Sequence, residues 1–183
     1  MVVVVLISSP RKAGSGRMIA DKIVEGIEST GKDVEIHFLN DMKRFRQCQN
    51  CEGCKQSGRC VIDDDISPII DSIRDCEGMV MVSSIEFNEL NGLFKILEDR
   101  FYCFLDINAS TILPKGKKLA TVITAGLDSD SADRVSRSME KVMSEHFFFE
   151  SVGRIAYTNW LMPAGTSVDE DVLKNAYEIG CRF

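Results

Sequence analysis

The sequence is poor in histidine, and its positive charges are outnumbered by its negative ones; each feature narrows the range of possible functions. Only two histidines occur in 183 residues. Neither stands next to a serine or cysteine that it could activate, so we expect both to be structural. Lysine and arginine number 22 against 28 aspartates and glutamates, which leaves a net charge of −6. That acidic balance disfavours a protein that binds nucleic acid or an anionic membrane surface.

Long hydrophobic runs and linker-like segments are also missing. The run from Val2 to Ile7 is far too short to span a bilayer, and no basic segment precedes it. We therefore expect a cytoplasmic protein. No internal repeat, linker or low-complexity tract interrupts the chain, and its length suits one domain with a full-sized core. The sequence predicts a single domain over residues 1–183.

Cysteine, in contrast, is abundant and clustered. Four of the seven cysteines fall within thirteen residues, in the spacing C-x2-C-x2-C-x5-C. We call residues 48–60 the cysteine segment, and it lies in a predicted loop at about residues 40–65. The remaining cysteines lie on apolar or helical stretches and are predicted to be small core residues. The four clustered cysteines are Cys48, Cys51, Cys54 and Cys60.

The spacing of these four thiols favours a shared metal centre. Three evenly spaced thiolates, with a fourth after a turn, can surround one compact group, and a [4Fe-4S] cluster fits that description. Zinc is an alternative, although structural zinc usually takes its ligands as two separated pairs. A disulfide framework is disfavoured because nothing marks the chain as secreted. Unligated or redox-active thiols are a further alternative.

Strand-like and helix-like segments alternate along the rest of the chain. Continuous β-branched runs predict buried parallel strands, and apolar residues at helical spacing predict the helices between them. We expect one helix from Leu90 to about Asp106 and a last helix opened by a capping box at Ser167–Glu170. The alternation predicts an α/β fold: a flavodoxin-like, doubly wound sheet of five parallel strands in the order 2-1-3-4-5, with helices on both faces.

The loop after the first strand has the composition of a phosphate site. Residues 8–17 carry hydroxyls, two glycines and cations, and they lead into a predicted helix. Small residues let backbone N–H groups face an anion, and the helix dipole adds positive potential. In a doubly wound sheet, ligands bind at the carboxyl ends of the strands, where this loop lies. The pattern is not a Walker loop, and a plain connection between strand and helix is the simpler alternative.

These segments make the sequence resemble a known family. Ser8-Ser-Pro-Arg-Lys-Ala-Gly-Ser resembles the G-S-P-R-K-x-G-N-T loop of the NADPH-dependent FMN reductase superfamily. Residues 83–100 resemble its second flavin segment, T-P-[IV]-Y-[WF]-G-x-[MV]-S-A-x-L-K-x-F-x-D-R. The cysteine spacing resembles one branch, the archaeal-type iron–sulfur flavoproteins. The sequence departs from the pattern at Gly16, where Thr is usual, at Ser84 for Pro, and at Glu86 for an aromatic residue.

The resemblance implies two cofactor sites on one chain. The FMN phosphate would lie against Ser9, Arg11, Ser15, Gly16 and Arg17. The flavin ring would lie along Ser84, Ile85, Glu86, Phe87, Asn88 and Leu90, and near Thr124, Ala125, Gly126 and Leu127. The cysteine segment would hold a [4Fe-4S] cluster through Cys48, Cys51, Cys54 and Cys60. Members of this branch are homodimers or dimers of dimers, and they exchange electrons with ferredoxin.

The sequence therefore predicts an electron-transfer flavoprotein. It would pass electrons between a one-electron, ferredoxin-like carrier and FMN through the cluster, and the cations around the cysteines would attract an acidic carrier. Two alternatives stay open. One is an NAD(P)H-dependent FMN or quinone reductase whose cysteine loop is structural or binds zinc, and the other is a non-enzymatic redox or metal sensor. The cations are Lys43, Arg44, Arg46, Lys55 and Arg59.

Overall fold

Strands and helices alternate through residues 2–126, 129–159 and 167–183, which are the residues that a computed structural model describes. Leu127, predicted beside the flavin ring, lies outside them. The strands are β1 Val2–Ile7, β2 Asp33–Phe38, β3 Gly78–Glu86, β4 Glu89–Leu90, β5 Lys118–Ala125 and β6 Glu150–Thr158. The helices are α1 Ser15–Ser29, α2 Cys54–Ser57, α3 Ile66–Asp75, α4 Gly92–Arg100, α5 Ser129–Phe147 and α6 Glu170–Gly180.

The five long strands form one parallel sheet in the order β2-β1-β3-β5-β6. This confirms the predicted doubly wound sheet and the spatial order of its five strands. The sequence did not predict the short strand β4, which pairs antiparallel with the end of β3. The reversal after β3 is tight because the chain turns back within two residues, Phe87 and Asn88.

Each face of the sheet has its own hydrophobic core. Val3, Val5 and Ile7 of β1 belong to the core beneath α1 and α6, whereas Val4 and Leu6 belong to the core on the opposite face, with α3, α4 and α5. All five side chains are buried. Since both faces of β1 are covered, both sets of alternating positions are apolar, which explains the unbroken β-branched run.

Two predicted helix boundaries are wrong. Helix α4 does not begin at Leu90, because Leu90 pairs with Ile85 in the hairpin and Asn91 caps the helix. It ends at Arg100, after which Phe101–Phe104 form a 3₁₀ turn. The predicted capping box at the last helix is also absent from the structure. Helix α6 begins at Glu170, its N-cap residue Asp169 makes no capping bond through its side chain, and Val168 packs into the core.

No helix within the described residues combines the length and the apolar character needed to cross a bilayer.

Candidate cofactor sites

The three segments predicted to bind flavin meet at one edge of the sheet. Ile7 of β1 pairs with Val82 of β3, and Ser84 of β3 pairs with Thr124 of β5, so the carboxyl ends of the three strands lie side by side. The backbone N–H of Ser8 donates to the carbonyl of Val82 at 2.9 Å. The fold therefore brings together the phosphate loop and the two predicted ring segments.

One asparagine connects these loops. The Nδ2 of Asn91 donates to the carbonyl and to the Oγ of Ser8, both at 2.9 Å, and to the Oγ of Ser84 at 3.3 Å. Its Oδ1 accepts from the backbone N–H of Phe94 at 3.0 Å, which makes Asn91 the N-cap of α4. Asn91 is nearly fully buried. A single side chain thus fixes the first loop against the second and starts α4.

The N-terminus of α1 approaches the sheet closely at Gly16. A Cβ at this position would lie 3.3 Å from a methyl group of Val82 and 3.6 Å from the hydroxyl oxygen of Thr124. The first turn of a helix leaves its N–H groups without intrahelical acceptors, so the backbone at Ser15 and Gly16 can receive an anion. The family loop usually carries a threonine hydroxyl at the position of Gly16. In this chain the hydroxyl of Thr124 lies beside that position.

The loop cations differ in what they contact. The Nε of Arg17 pairs with Asp21 at 2.5 Å, and its guanidinium lies 4.7 Å from the centre of the Phe38 ring. Lys12 pairs with Asp41 at 2.8 Å. The Arg17 side chain is therefore directed along the flank of α1. Ser9 is buried and Arg11 is exposed at the start of the loop.

The predicted ring segment includes an exposed hairpin tip. Phe87 and Asn88 have φ values of 48° and 66° and form the two-residue turn between the paired residues Glu86 and Glu89. Turns with both residues left-handed match the twist of a hairpin, although Phe is an unusual residue there. The Phe87 side chain is fully exposed. Glu86 is exposed as well, and its carboxylate accepts from the Oγ of Ser84 at 3.4 Å.

The four clustered cysteines line a single pocket. The pocket is a small cavity of about 10 Å³ that is partly open to solvent. Helix α2 supplies Cys54 and ends at Gly58, whose φ of 68° reverses the chain toward Cys60. Within the described residues, no three His, Cys, Asp or Glu side chains are placed to hold a single metal ion. The lining residues include Cys48, Cys51, Cys54, Cys60, Arg100, Tyr102 and Cys103.

Two aspartates close the loop that carries the cysteines. The Oδ2 of Asp65 accepts from the backbone N–H groups of Lys43 and Arg44 at 2.6 and 2.8 Å. These bonds to the carboxylate lower the pKa of Asp65 below its ordinary value. The Oδ2 of Asp64 accepts from the N–H of Arg46 at 2.9 Å. The chain before the cysteine segment is therefore tied to the chain after it.

Arg100 binds the same two parts of the chain, before and after the cysteine segment, from inside the protein. Its Nη1 donates to the carboxylate of Asp64 at 2.9 Å and to the carbonyl of Arg46 at 3.0 Å, and its Nη2 donates to the carbonyl of Ile62 at 3.3 Å. Both charged side chains are buried, and the Nε of Arg100 has no hydrogen-bond partner. Burial lowers the pKa of Arg100, but the bond to Asp64 and the charges of Cys60 and Asp64 raise it overall.

The thiols of the pocket have different environments. Cys51 is exposed, Cys48 and Cys60 are half-buried, and Cys54 is buried. Burial raises the pKa of Cys54, and burial together with the nearby charge of Cys60 raises the pKa of Cys103 to about 12. The backbone N–H of Asn50 donates to the Sγ of Cys48 at 3.4 Å.

Sequence reasoning missed Arg100 and Cys103 as residues of this pocket. A signal for Arg100 was available, because it lies within the apolar stripe formed by Phe94, Leu97, Phe101 and Phe104, where a cation needs a partner. Cys103 gave no such signal, since a small buried thiol is common in any core.

Helix α4 joins the two candidate sites. Asn91 caps its first turn at the sheet edge where flavin is predicted to bind, and Arg100 ends its last turn at the cysteine pocket. The helix has nine residues, which at about 1.5 Å per residue span about 13 Å. The two sites therefore lie at opposite ends of one short rigid element.

Comparison with known proteins decides the family. Residues 1–158 match the model of the family described as NADPH-dependent FMN reductase. The chain belongs to this family. The match covers the sheet through β6, and it confirms the FMN reductase resemblance that the loops predicted.

The relatives of this FMN reductase family member include iron–sulfur flavoproteins. One from Methanocaldococcus jannaschii is 29% identical over 100 residues, covering 55% of this chain and 51% of its own. Another from Clostridioides difficile is 28% identical over 109 residues, covering 58% and 48%. They confirm the predicted resemblance to the iron–sulfur branch, although the chain spans about half the length of these relatives. An archaeal flavodoxin structure matches all of this chain and 95% of its own, at a TM-score of 0.60 and 16% identity, which confirms the flavodoxin-like fold.

Proposed function

We propose that this chain is a redox flavoprotein that binds FMN at the carboxyl edge of the sheet and a [4Fe-4S] cluster at the cysteine pocket. In this role it passes electrons between a one-electron, ferredoxin-like carrier and FMN. The observation that carries the proposal is the convergence of Cys48, Cys51, Cys54 and Cys60 on one pocket, at the far end of the helix that Asn91 starts beside the flavin loops.

The residues of the flavin edge suit a phosphorylated flavin. The first turn of α1 offers backbone N–H groups to a phosphate, with hydroxyls from Ser9, Ser15 and Thr124 nearby. Small side chains at Gly14 and Gly16 allow close approach to the backbone. Asn91 holds the phosphate loop against the ring segment, so both parts of the site are fixed before the ligand arrives.

The donor set of the pocket suits an iron–sulfur cluster. Four thiols supply the soft ligands that such clusters take. Structural zinc usually takes its ligands as two separated pairs, whereas three of these four cysteines are evenly spaced along the chain. The names of the relatives point the same way.

The two sites together suit an electron converter. When bound, the cluster supplies one-electron chemistry and FMN supplies two-electron chemistry. The protein's contribution is placement: α4 fixes the two sites relative to each other, and Arg100 and Asp64 hold the cysteine loop on that helix. The exposed cations Lys43, Arg44 and Arg46 precede the cysteine segment and the exposed Arg59 lies within it, and these charges favour an acidic carrier. Lys55 is instead bound to the carbonyls of Tyr102 and Leu105.

We further propose that the chain forms a homodimer or a dimer of dimers through the surface beside the pocket. Val61 and Ile112 are exposed there by 59% and 43%. Val61 packs beside Gly53, and Ile112 beside Gly58, so both flank the cysteine segment. Apolar side chains grouped around a functional loop are typical of an interface.

A second function is supported by the family match itself, which describes an NADPH-dependent FMN reductase. In that case the cysteine loop is structural or binds zinc. An anaerobic absorbance spectrum of the purified protein separates the two. Flavin bands with a broad shoulder that dithionite bleaches support the electron-transfer function. Flavin bands alone, reduced directly by NADPH, support the reductase.

A further inference from the structure

The guanidinium of Arg100 is a buried cation at the wall of the cysteine pocket. Its side chain has no exposed surface, and Asp64 is 2% exposed. The guanidinium donates three hydrogen bonds, to the Asp64 carboxylate and to the carbonyls of Arg46 and Ile62. These use the two terminal nitrogens and leave the Nε buried without an acceptor. A buried donor without a partner is costly, so its persistence needs an explanation.

The surroundings of the Nε supply a candidate acceptor. Arg100 lines the pocket with Cys60, and the two side chains interact. Asp64 does not line the pocket, and its carboxylate accepts from the backbone N–H groups of Arg46 and Ile66. Of the two charged partners, Arg100 is therefore the one beside the thiols, and its Nε is the nitrogen left without an acceptor.

We propose that Arg100 is a positioning residue that donates a hydrogen bond from its Nε to the sulfur of Cys60 when the pocket holds its cluster. This inference rests on the proposed function. Hydrogen bonds to the sulfurs, and the local net charge, set the reduction potential of an iron–sulfur cluster. A donor and a positive charge both stabilise the reduced, more negative form. Arg100 therefore keeps the reduction potential of the cluster higher than the same four cysteines would give alone.

The test measures the cluster potential in three variants against the wild type. Each is purified anoxically with its iron and FMN, and the cluster is titrated under EPR detection with the FMN bands as an internal reference. Arg100→Lys keeps the charge but removes the Nε donor. Arg59→Lys is the matched control, because Arg59 precedes Cys60 but has an exposed side chain. Asp64→Asn removes the charge that offsets Arg100.

The proposal predicts opposite shifts for the two partners. Arg100→Lys lowers the cluster's affinity for an electron at least tenfold relative to FMN. For a one-electron couple, this tenfold change is a fall of about 59 mV in the reduction potential. Arg59→Lys leaves it unchanged, and Asp64→Asn raises it. A cluster potential in Arg100→Lys that equals that of Arg59→Lys would overturn the proposal. If Arg100→Lys retains no iron, Asp64→Asn decides: a rise supports the proposal, and no shift or a fall overturns it.

The proposed function can fail separately. Wild-type protein that contains FMN but no iron would overturn the cluster itself. Wild-type protein with a full complement of iron and unmoved potentials in the variants would overturn only the role of Arg100.

Discussion

Asn91 donates from its Nδ2 to both the carbonyl and the hydroxyl of Ser8, at 2.9 Å in each case. Ser8 directly follows β1 and Asn91 is the N-cap of α4, so this contact ties the predicted phosphate loop to the predicted ring segment across 83 residues of sequence. The same asparagine caps α4 through its Oδ1. Its two functions can be separated by mutation.

Asn91→Ala is expected to remove both the cap and the tie, whereas Asn91→Ser keeps a capping oxygen and loses the donor to Ser8. We expect both variants to weaken FMN binding roughly 5- to 30-fold, since each hydrogen bond contributes about 1 kcal/mol. Only Asn91→Ala should also lose about 1 kcal/mol of helix capping. Quenching of FMN fluorescence measures binding, and urea unfolding measures stability. Equal FMN affinity in the wild type and Asn91→Ser would contradict the tie.

The ion pair of Asp64 and Arg100 predicts a large loss of stability when one partner is removed. Asp64→Ala leaves a buried guanidinium without its carboxylate, and such losses amount to about 3–5 kcal/mol. Asp71→Ala is the matched control, because the Asp71–Arg74 pair is partly exposed and should contribute about 1 kcal/mol or less. Urea unfolding of the apoprotein compares them. Similar losses in both variants would mean that burial of the Asp64 pair has no special effect.

The carboxylate of Asp65, just after the cysteine segment, should make a pH-dependent contribution to the stability of the folded protein. Backbone N–H groups of Arg44 and Lys43 lower its pKa in the folded state below the unfolded value. Its stabilisation is therefore present above the unfolded pKa of about 4 and is lost as the pH falls through the folded pKa. Wild type should be more stable than Asp65→Asn at pH 7, and the difference should shrink at about pH 3. A constant difference across that range would show that the charge of Asp65 is not involved.

The buried thiols predict an order of chemical modification in the apoprotein. Cys51 and Cys181 are exposed, whereas Cys76 and Cys103 are buried with raised pKa values. With a pKa of about 12, Cys103 has a thiolate fraction of only about 10⁻⁴ at pH 8, and the thiolate is the reactive form. Iodoacetamide followed by peptide mass spectrometry should find Cys51 and Cys181 labelled first and Cys76 and Cys103 labelled last. Early labelling of Cys103 would place it outside the core.

The sequence predicted the parallel sheet and its strand order because both faces of a central strand must be apolar, and this leaves an unbroken β-branched run. It predicted which loops meet, because parallel strands place their carboxyl ends at one edge. It did not predict β4, because a strand of two residues is too short to show an alternation of apolar and polar side chains. Nor did it predict Arg100 at the pocket, since the partners of a buried cation come from residues far along the chain, here Arg46, Ile62 and Asp64.

The exposed cations near the cysteine segment predict that an acidic carrier is attracted to it electrostatically, which would speed their encounter. Replacing Lys43, Arg44 and Arg46 together by glutamine should slow electron uptake from a reduced ferredoxin at low salt by about tenfold or more. The wild-type rate should fall as ionic strength rises, because exposed charges are screened. Lys141→Gln, an exposed change on α5, is the control and should leave the rate unchanged. Stopped-flow absorbance measures the rates, and a wild-type rate independent of salt would contradict steering.

The central claim is that one chain carries a cluster at its cysteine segment and FMN at its sheet edge. Iron, acid-labile sulfide and FMN should be counted in anoxically purified wild-type protein and in Cys54→Ser, which removes the buried ligand of the pocket. The account predicts about four iron and four sulfide per FMN in the wild type, and FMN with little iron in the variant. FMN without iron or sulfide in the wild type would contradict it.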